Sequence, residues 1–329
     1  MSIIYKYNND NVNFNEVKDI LTKAFTGRKF TDVSNIEKSF INSSHVVYAY
    51  DNNKLIGFAR AISDSTWAII YNVALDPKYQ GKGIGKKIIN DLVKNLGDRH
   101  IFTFTHPRTI SLYEHLSFVR SKMAFKYVKN TDKERISFQE EAGFFLEDNY
   151  LFDGEKKSNN KRINNNDSIT YSNNLNNTSI IDINKLLEKA FNNKRDIDKT
   201  LYDFRVSQFV ELAFDNNKLI GCARLLTDGV GEAILLNVCV DPDYQKRGIG
   251  LEIIERLCSQ AKDFDIFIHT HPKALSFYNN SRDFKRYKTA FSYEKDDNYS
   301  KEFFLPRNYR YKEELKNEEI KYYKGKILN

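Results

Sequence analysis

The sequence predicts a mixed α/β protein built from two copies of one domain, each a central, mostly antiparallel mixed sheet flanked by helices. Three observations predict it: a long internal repeat, alternating strand-like and helix-like apolar patterns, and a glycine-rich turn between strand and helix in each copy. Asn52-Asn53-Lys54-Leu55-Ile56-Gly57-Phe58-Ala59-Arg60 returns as Asn216-Asn217-Lys218-Leu219-Ile220-Gly221-Cys222-Ala223-Arg224. Ile101-Phe-Thr-Phe-Thr-His-Pro107 returns as Ile266-Phe-Ile-His-Thr-His-Pro272, and Phe144-Phe145-Leu146 returns as Phe303-Phe304-Leu305. The blocks keep their order, and a period this long means two whole domains, since solenoid repeats run about 20–50 residues. The polar stretch 156–166 reads as a linker between a domain over residues 1–155 and another over 167–329.

Each element has its own signal. Val17, Ile20, Leu21, Ala24 and Phe25 fall at helical spacing, and 183–191 resembles them. Segments 45–50 and 55–61 form a strand hairpin turned by Asp51-Asn52-Asn53. Segments 68–75 and 233–240 are mostly apolar, as strands buried on both faces should be. The helix after each turn shows one apolar face: Ile84, Ile88, Ile89, Leu92, Val93 and Leu96, then Ile249, Ile253, Ile254, Leu257 and Cys258. Another strand follows at 101–105 and 266–270, then a short helix carrying Tyr113 or Tyr278. The last strands are expected near 122–128, 143–146, 288–293 and 302–305.

Composition excludes several classes. No stretch of the 329 residues approaches the roughly 18 consecutive apolar residues of a membrane span, and the start lacks the plan of an export signal, which predicts a cytoplasmic protein. The 3 cysteines form no CxxC pair and stand where the first half has Phe58, Ala74 and Val93, so they are expected in the core. His269 and His271 share a strand face without further ligands, so no metal site is expected. The charge of +7 favours anionic partners, but Lys and Arg are dispersed and no RNA-binding motif appears, which speaks against nucleic acid.

The turns carry the chemistry. Asp76-Pro-Lys-Tyr-Gln-Gly-Lys-Gly-Ile-Gly-Lys86 matches Asp241-Pro-Asp-Tyr-Gln-Lys-Arg-Gly-Ile-Gly-Leu251. A buried strand, a glycine-rich turn and a helix start together form a nest of main-chain N–H groups that suits a pyrophosphate. A Walker A loop is ruled out by Gln80 and Lys87, and a dinucleotide fingerprint by Ile88. Both turns share Gln-x-x-Gly-x-Gly, at Gln80, Gly83, Gly85 and at Gln245, Gly248, Gly250.

After a strand that ends in Asp-Pro, this motif resembles the acetyl-CoA signature of the GNAT superfamily of N-acetyltransferases. The likeness runs from about Val46 to Tyr127 and from Val210 to Tyr293. It implies a tandem member that moves an acetyl group from acetyl-CoA to a primary amine, on a small molecule or a peptide. Acyl-CoA binding or sensing, with one or both halves inactive, is the alternative. Main-chain groups of Gln80, Gly81, Lys82, Gly83, Ile84, Gly85 and Lys86, and of Gln245, Lys246, Arg247, Gly248, Ile249 and Gly250, would hold the diphosphate. Val73, Ala74 and Leu75, with Val238, Cys239 and Val240, would pair with the pantetheine arm. The likeness further implies that Tyr113 and Tyr278 protonate the leaving thiolate. His106 and His271 replace the asparagine usual at the strand end and would bond CoA or act as base. No base stands out: Asn72 and Asn237 stand where relatives carry Asp, and Asp64 and Asp228 follow a strand where they could close a turn. Specificity is expected in 27–40 and 192–204, where Arg28 and Arg195 are possible contacts for acidic groups.

Overall fold

A computed structural model of the chain describes residues 2–25, 30–129, 131, 133–146, 168–279, 281 and 283–293. The first half runs β1 (Ile3–Lys6), α1 (Phe14–Ala24), α2 (Val33–Ile41), β2 (His45–Asp51), β3 (Lys54–Ser63), β4 (Trp67–Leu75) and α3 (Ile84–Leu96). It continues through β5 (His100–Phe104), α4 (Ile110–Glu114), β6 (Phe118–Ser121), β7 (Ala124–Tyr127) and α5 (Lys133–Glu141). The second half repeats the plan with β8 (Ile169–Ser172), α6 (Ile180–Phe191), α7 (Ile197–Arg205), β9 (Phe209–Asp215), β10 (Lys218–Thr227) and β11 (Glu232–Val240). It ends with α8 (Ile249–Gln260), β12 (Asp265–His269), α9 (Leu275–Asn279), β13 (Phe284–Arg286) and β14 (Ala290–Tyr293). Among the described residues no helix is long and apolar enough to cross a membrane.

The hairpins form where expected. Asn52 and Asn53 both take positive φ, 48° and 64°, as a tight turn matched to strand twist requires. Asn216 and Asn217 repeat this at 45° and 67°. The thiols are buried in the core, where Cys222 and Cys239 face each other across β10 and β11 with Sγ atoms 3.4 Å apart.

Two seven-stranded mixed sheets result, ordered β1-β2-β3-β4-β5-β14-β6 and β13-β7-β12-β11-β10-β9-β8. Among the described residues only β4–β5 and β11–β12 run parallel. The sheets do not each draw on one half of the chain. β14 of the second half lies between β5 and β6, and β7 of the first half lies between β12 and β13. The halves have exchanged a strand, so one cut near 156–166 does not separate the two sheets. The linker at 156–166 and the strand expected at 302–305 lie outside the described residues. At 143–146 the expected strand reduces to one bridge, between Phe145 and Tyr287.

One local feature agrees with the exchange. A hairpin from β6 into β7 would have to turn at Lys122-Met123, and neither favours the positive φ that two-residue turns need. The chain therefore runs on into the other sheet. Buried arginines brace both crossings: Arg120 Nε donates to the Lys288 carbonyl at 2.9 Å, and Arg286 Nε to the Lys122 carbonyl at 2.7 Å. Between the sheets lies an apolar seam of Ile62, Ile69, Phe102, Leu226, Ile234 and Leu236. Burying that seam adds to the exchanged strands in holding the halves together.

Candidate active site

Each sheet opens beside its glycine-rich turn. The β4–β5 ladder pairs Trp67 with His100 through Ile70 with Thr103 and stops there, while β4 continues along β3 to Leu75. The edge of Val73, Ala74 and Leu75 that faces β5 is thus left without a ladder partner. β11 does the same, since its pairing with β12 ends at Ile234 and Phe267, ahead of Val238, Cys239 and Val240.

Asparagine makes the bend in both strands. Asn72 and Asn237 take φ of 48° and 53°, and the register slips by one residue at each. The left-handed region tolerates Asn better than most residues, and a bulge of this kind re-aims the strand beyond it. Buried arginines hold both bulges, as Arg60 Nε and Arg224 Nε donate to the Asn72 and Asn237 side-chain oxygens at 2.5 Å each. The residue that departs from the family's pattern is therefore a hinge in the strand.

The turns follow directly. Asp76 and Asp241 cap short 3-10 turns by accepting from the N–H groups of Lys78 and Asp243 at 3.1 Å. Gln80 and Gln245 tie the turn back to the strand end, their side-chain amides donating to the carbonyls of Leu75 at 3.4 Å and Val240 at 3.1 Å. Gly83 and Gly248 then take φ of 78° and 83° as N-caps of α3 and α8. A Cβ on either glycine would meet nothing within 4 Å, so the space before the helix start is open. The concave run of N–H groups, the helix dipole and that open space fit a diphosphate. Lys82 and Arg247 lie over the rings of Tyr79 and Tyr244 at 5.2 and 5.0 Å. One difference separates the copies: Gly81 is left-handed in the first turn, and Lys246 adopts that conformation in the second.

Tyr113 and Tyr278 are both buried, and each packs on the strand lent by the other half. Tyr113 stacks on Phe291 of β14, with centroids 5.6 Å apart, and Tyr278 lies 5.4 Å from Phe125 of β7. Burial pushes the Tyr113 hydroxyl up to about 12, against hydrogen bonds with Thr103 and Thr105 that pull it down. Burial raises Tyr278 further, and Cys258 adds to the rise. Both tyrosines stay protonated at neutral pH.

His106 and His271 cap the turns before α4 and α9. Their Nδ1 atoms accept from the N–H groups of Arg108 and Lys273, each at 3.1 Å, which leaves the proton on Nε2. His106 also meets Phe144 edge-on at 5.0 Å. Burial holds His106 down at about 4 and lowers His271 as well. Asp64 and Asp228 do close turns, each accepting from the following main-chain N–H groups. Their second oxygens make buried ion pairs with Arg224 and Arg60 of the opposite half. Burial alone would raise Asp228, but Arg60 and three N–H groups bring it below the usual carboxylate range. A carboxylate so engaged is a poor base. Reasoning from the sequence missed these arginines, although both recur at matching places in the repeat.

A strand with an open edge, a diphosphate-sized nest at a helix start and a protonated phenol nearby define an acyltransferase of the CoA-using kind. The chain belongs to the GNAT family of acetyltransferases. Residues 42–120 match the acetyltransferase (GNAT) domain, and residues 180–284 match the acetyltransferase (GNAT) family. An uncharacterized N-acetyltransferase, ycf52, of Pyropia yezoensis is 32% identical over 125 residues, which is 36% of this chain and 71% of that protein. Histone acetyltransferase TAP1 of Glycine max is 38% identical over 82 residues, covering 24% of this chain and 36% of its own. A GCN5-related N-acetyltransferase structure from Sphaerobacter thermophilus shares the fold at 10% identity, with a TM-score of 0.50 over 88% of this chain and 94% of that one.

Proposed function

We propose that the chain transfers an acetyl group from acetyl-CoA to a primary amine, with one cofactor cradle in each half. The observation that carries this reading is the repeated junction of an unpaired strand edge, a left-handed glycine at a helix N-cap and a buried tyrosine.

Acetyl-CoA, when bound, supplies the acyl group as an activated thioester. The main-chain N–H groups of 80–86 and 245–250 hold its diphosphate, with Lys82, Lys86, Lys246 and Arg247 adding positive charge. The free edges of 73–75 and 238–240 align the pantetheine arm like one more strand. A main-chain N–H on that edge stabilises the negative charge that develops on the acyl oxygen. As the amine nitrogen bonds to the acyl carbon and the C–S bond breaks, Tyr113 or Tyr278 gives its phenolic proton to the departing thiolate, and the proton shed by the amine passes through solvent to restore the phenol. His106 and His271 keep Nδ1 for the turn and offer the Nε2 proton to the cofactor. This assigns them a hydrogen-bonding role and not that of base.

Calorimetry with CoA and thiol release against a panel of amines test the reading. Binding of two CoA molecules per chain and amine-dependent thiol release are expected. Absence of any heat with CoA or acetyl-CoA overturns it.

A further inference from the structure

The segment joining α6 to α7 carries a cation without a described counter-ion. Arg195 is clamped through its main chain: its N–H donates to Glu188 Oε1 at 2.9 Å, and its carbonyl accepts from Asn184 Nδ2 at 3.5 Å. Asn184 is buried and takes the Thr200 hydroxyl at 2.7 Å, so both helices fix the residue. The guanidinium carbon lies 5.0 Å from the Phe191 ring centroid, and Nε is buried with no hydrogen-bond partner. Among the described residues no carboxylate pairs with it. Asp203 of α7 is engaged elsewhere, accepting from the Ser65 N–H at 2.9 Å and facing Arg224 at 3.7 Å.

Position gives this cation a purpose. Arg195 is held by Asn184 and Glu188 of α6, and α6 packs on β11. Cys239 belongs to the free edge of β11, and its side chain packs with residues of α6 and α7. Val240 packs on the opposite face, with Ile249 and Ile253 of α8. Arg195 therefore stands on the face of β11 that α8 does not cover. α8 and its turn take one face of β11, so an amine that approaches the Asn237 bulge from the opposite face would meet the α6–α7 segment that carries Arg195. A half-buried guanidinium whose Nε donor is buried and unmet gains most when an anion arrives. Its planar fork matches a carboxylate.

We propose that Arg195 anchors a carboxylate of the acceptor, so that the second half acetylates amines that themselves carry a carboxylate, as amino acids and short peptides do. This rests on the acetyl-transfer reading above. The test compares glycylglycine with glycylglycinamide, whose amino groups are similarly basic, by thiol release from acetyl-CoA. In the wild type kcat/KM should favour the free acid by about 10- to 100-fold. Arg195→Gln should bring that ratio near one, mainly through KM, and Arg195→Lys should restore part of it. Equal rates for acid and amide in the wild type, or discrimination that survives in Arg195→Gln, overturn the proposal while leaving acetyl transfer standing. If no amine releases thiol, the acetyl-transfer reading is the one that fails. Calorimetry of the CoA-saturated protein with N-acetylglycylglycine then decides on Arg195. Binding weakened at least tenfold by Arg195→Gln supports the anchor, and equal binding removes it.

Discussion

Arg60 Nη2 stands 2.7 Å from Asp228 Oδ2, although the two residues come from opposite halves of the chain and both are buried. Arg224 and Asp64 make the mirrored pair. Each arginine also grips the asparagine of its own strand bulge, so the contact between halves and the shape of the cleft share one side chain. Removing one partner leaves a buried charge unanswered, which costs about 3–5 kcal/mol. Arg60→Ala and Arg224→Ala should each lower the urea midpoint accordingly. Replacing Arg60 and Asp228 together by apolar residues should cost less than either single change, and equal or larger loss in the double variant would contradict the pairing.

The tyrosines predict a clean kinetic split. Tyr113→Phe and Tyr278→Phe keep the ring packing on Phe291 and Phe125 and delete only the hydroxyl. In each half that turns over, kcat should fall by about 10²–10⁴ with CoA affinity unchanged. Full rate in both variants would take the phenols out of the mechanism.

For the cradles the decisive substitutions are Gly83→Ala and Gly248→Ala. With nothing within 4 Å of the added methyl, the cost is conformational, about 1–2 kcal/mol for a left-handed residue with a Cβ. Relaxation of the turn should misalign its N–H groups, and calorimetry should show weaker CoA binding in the altered half while the melting temperature drops only modestly. Unaltered affinity in both variants would locate the diphosphate elsewhere.

Acid should loosen the fold through two histidines. His106 sits at about 4 and His269 at about 3, both lowered by burial from an unfolded value near ~6.5. His269 holds the Ser121 hydroxyl at 2.7 Å and stacks on Phe102 at 4.2 Å. Because the unfolded chain binds these protons more tightly, their contribution is complete above about pH 6.5 and declines as pH falls toward 4 and then 3. His106→Asn retains a capping oxygen without the titration, so thermal melts across that window should show a flatter profile for this variant.

Strand exchange predicts that the halves cannot be separated cheaply. Residues 1–155 alone lack β14, so β6 loses its partner and β5 keeps only β4, and residues 167–329 alone lack β7, so β13 loses its partner and β12 keeps only β11. Each fragment should show poor amide protection and bind apolar dyes, and co-expression of the two should restore CoA binding. Stable, protected fragments would contradict the exchange.

Local chemistry was the legible part. The asparagine pairs announced the hairpins, apolar periodicity announced α3 and α8, and repetition made the glycine turns unmistakable. Partner choice was not legible, because whether β7 pairs with β5 or β12 depends on contacts far along the chain and both strands offer similar apolar edges. The bulges at Asn72 and Asn237 escaped notice for a related reason: a polar residue inside a buried strand announces a bend only once its arginine is seen. α2 and α7 fell largely in the segments expected to set specificity and were not read as helices, although Asp32 and Asp196 cap them as good helix starts should.

A lent strand also sets a timetable for biosynthesis. β5 and β6 leave the ribosome long before β14 is made, and at about 5–20 residues per second the gap is on the order of 10–40 s. Throughout that interval the nascent chain displays two sticky β-edges with an empty slot between them, an invitation to chaperones and to neighbouring copies alike. Closure of the first sheet therefore waits until β14 has been made, so the amino-terminal half stays unfinished through that whole interval.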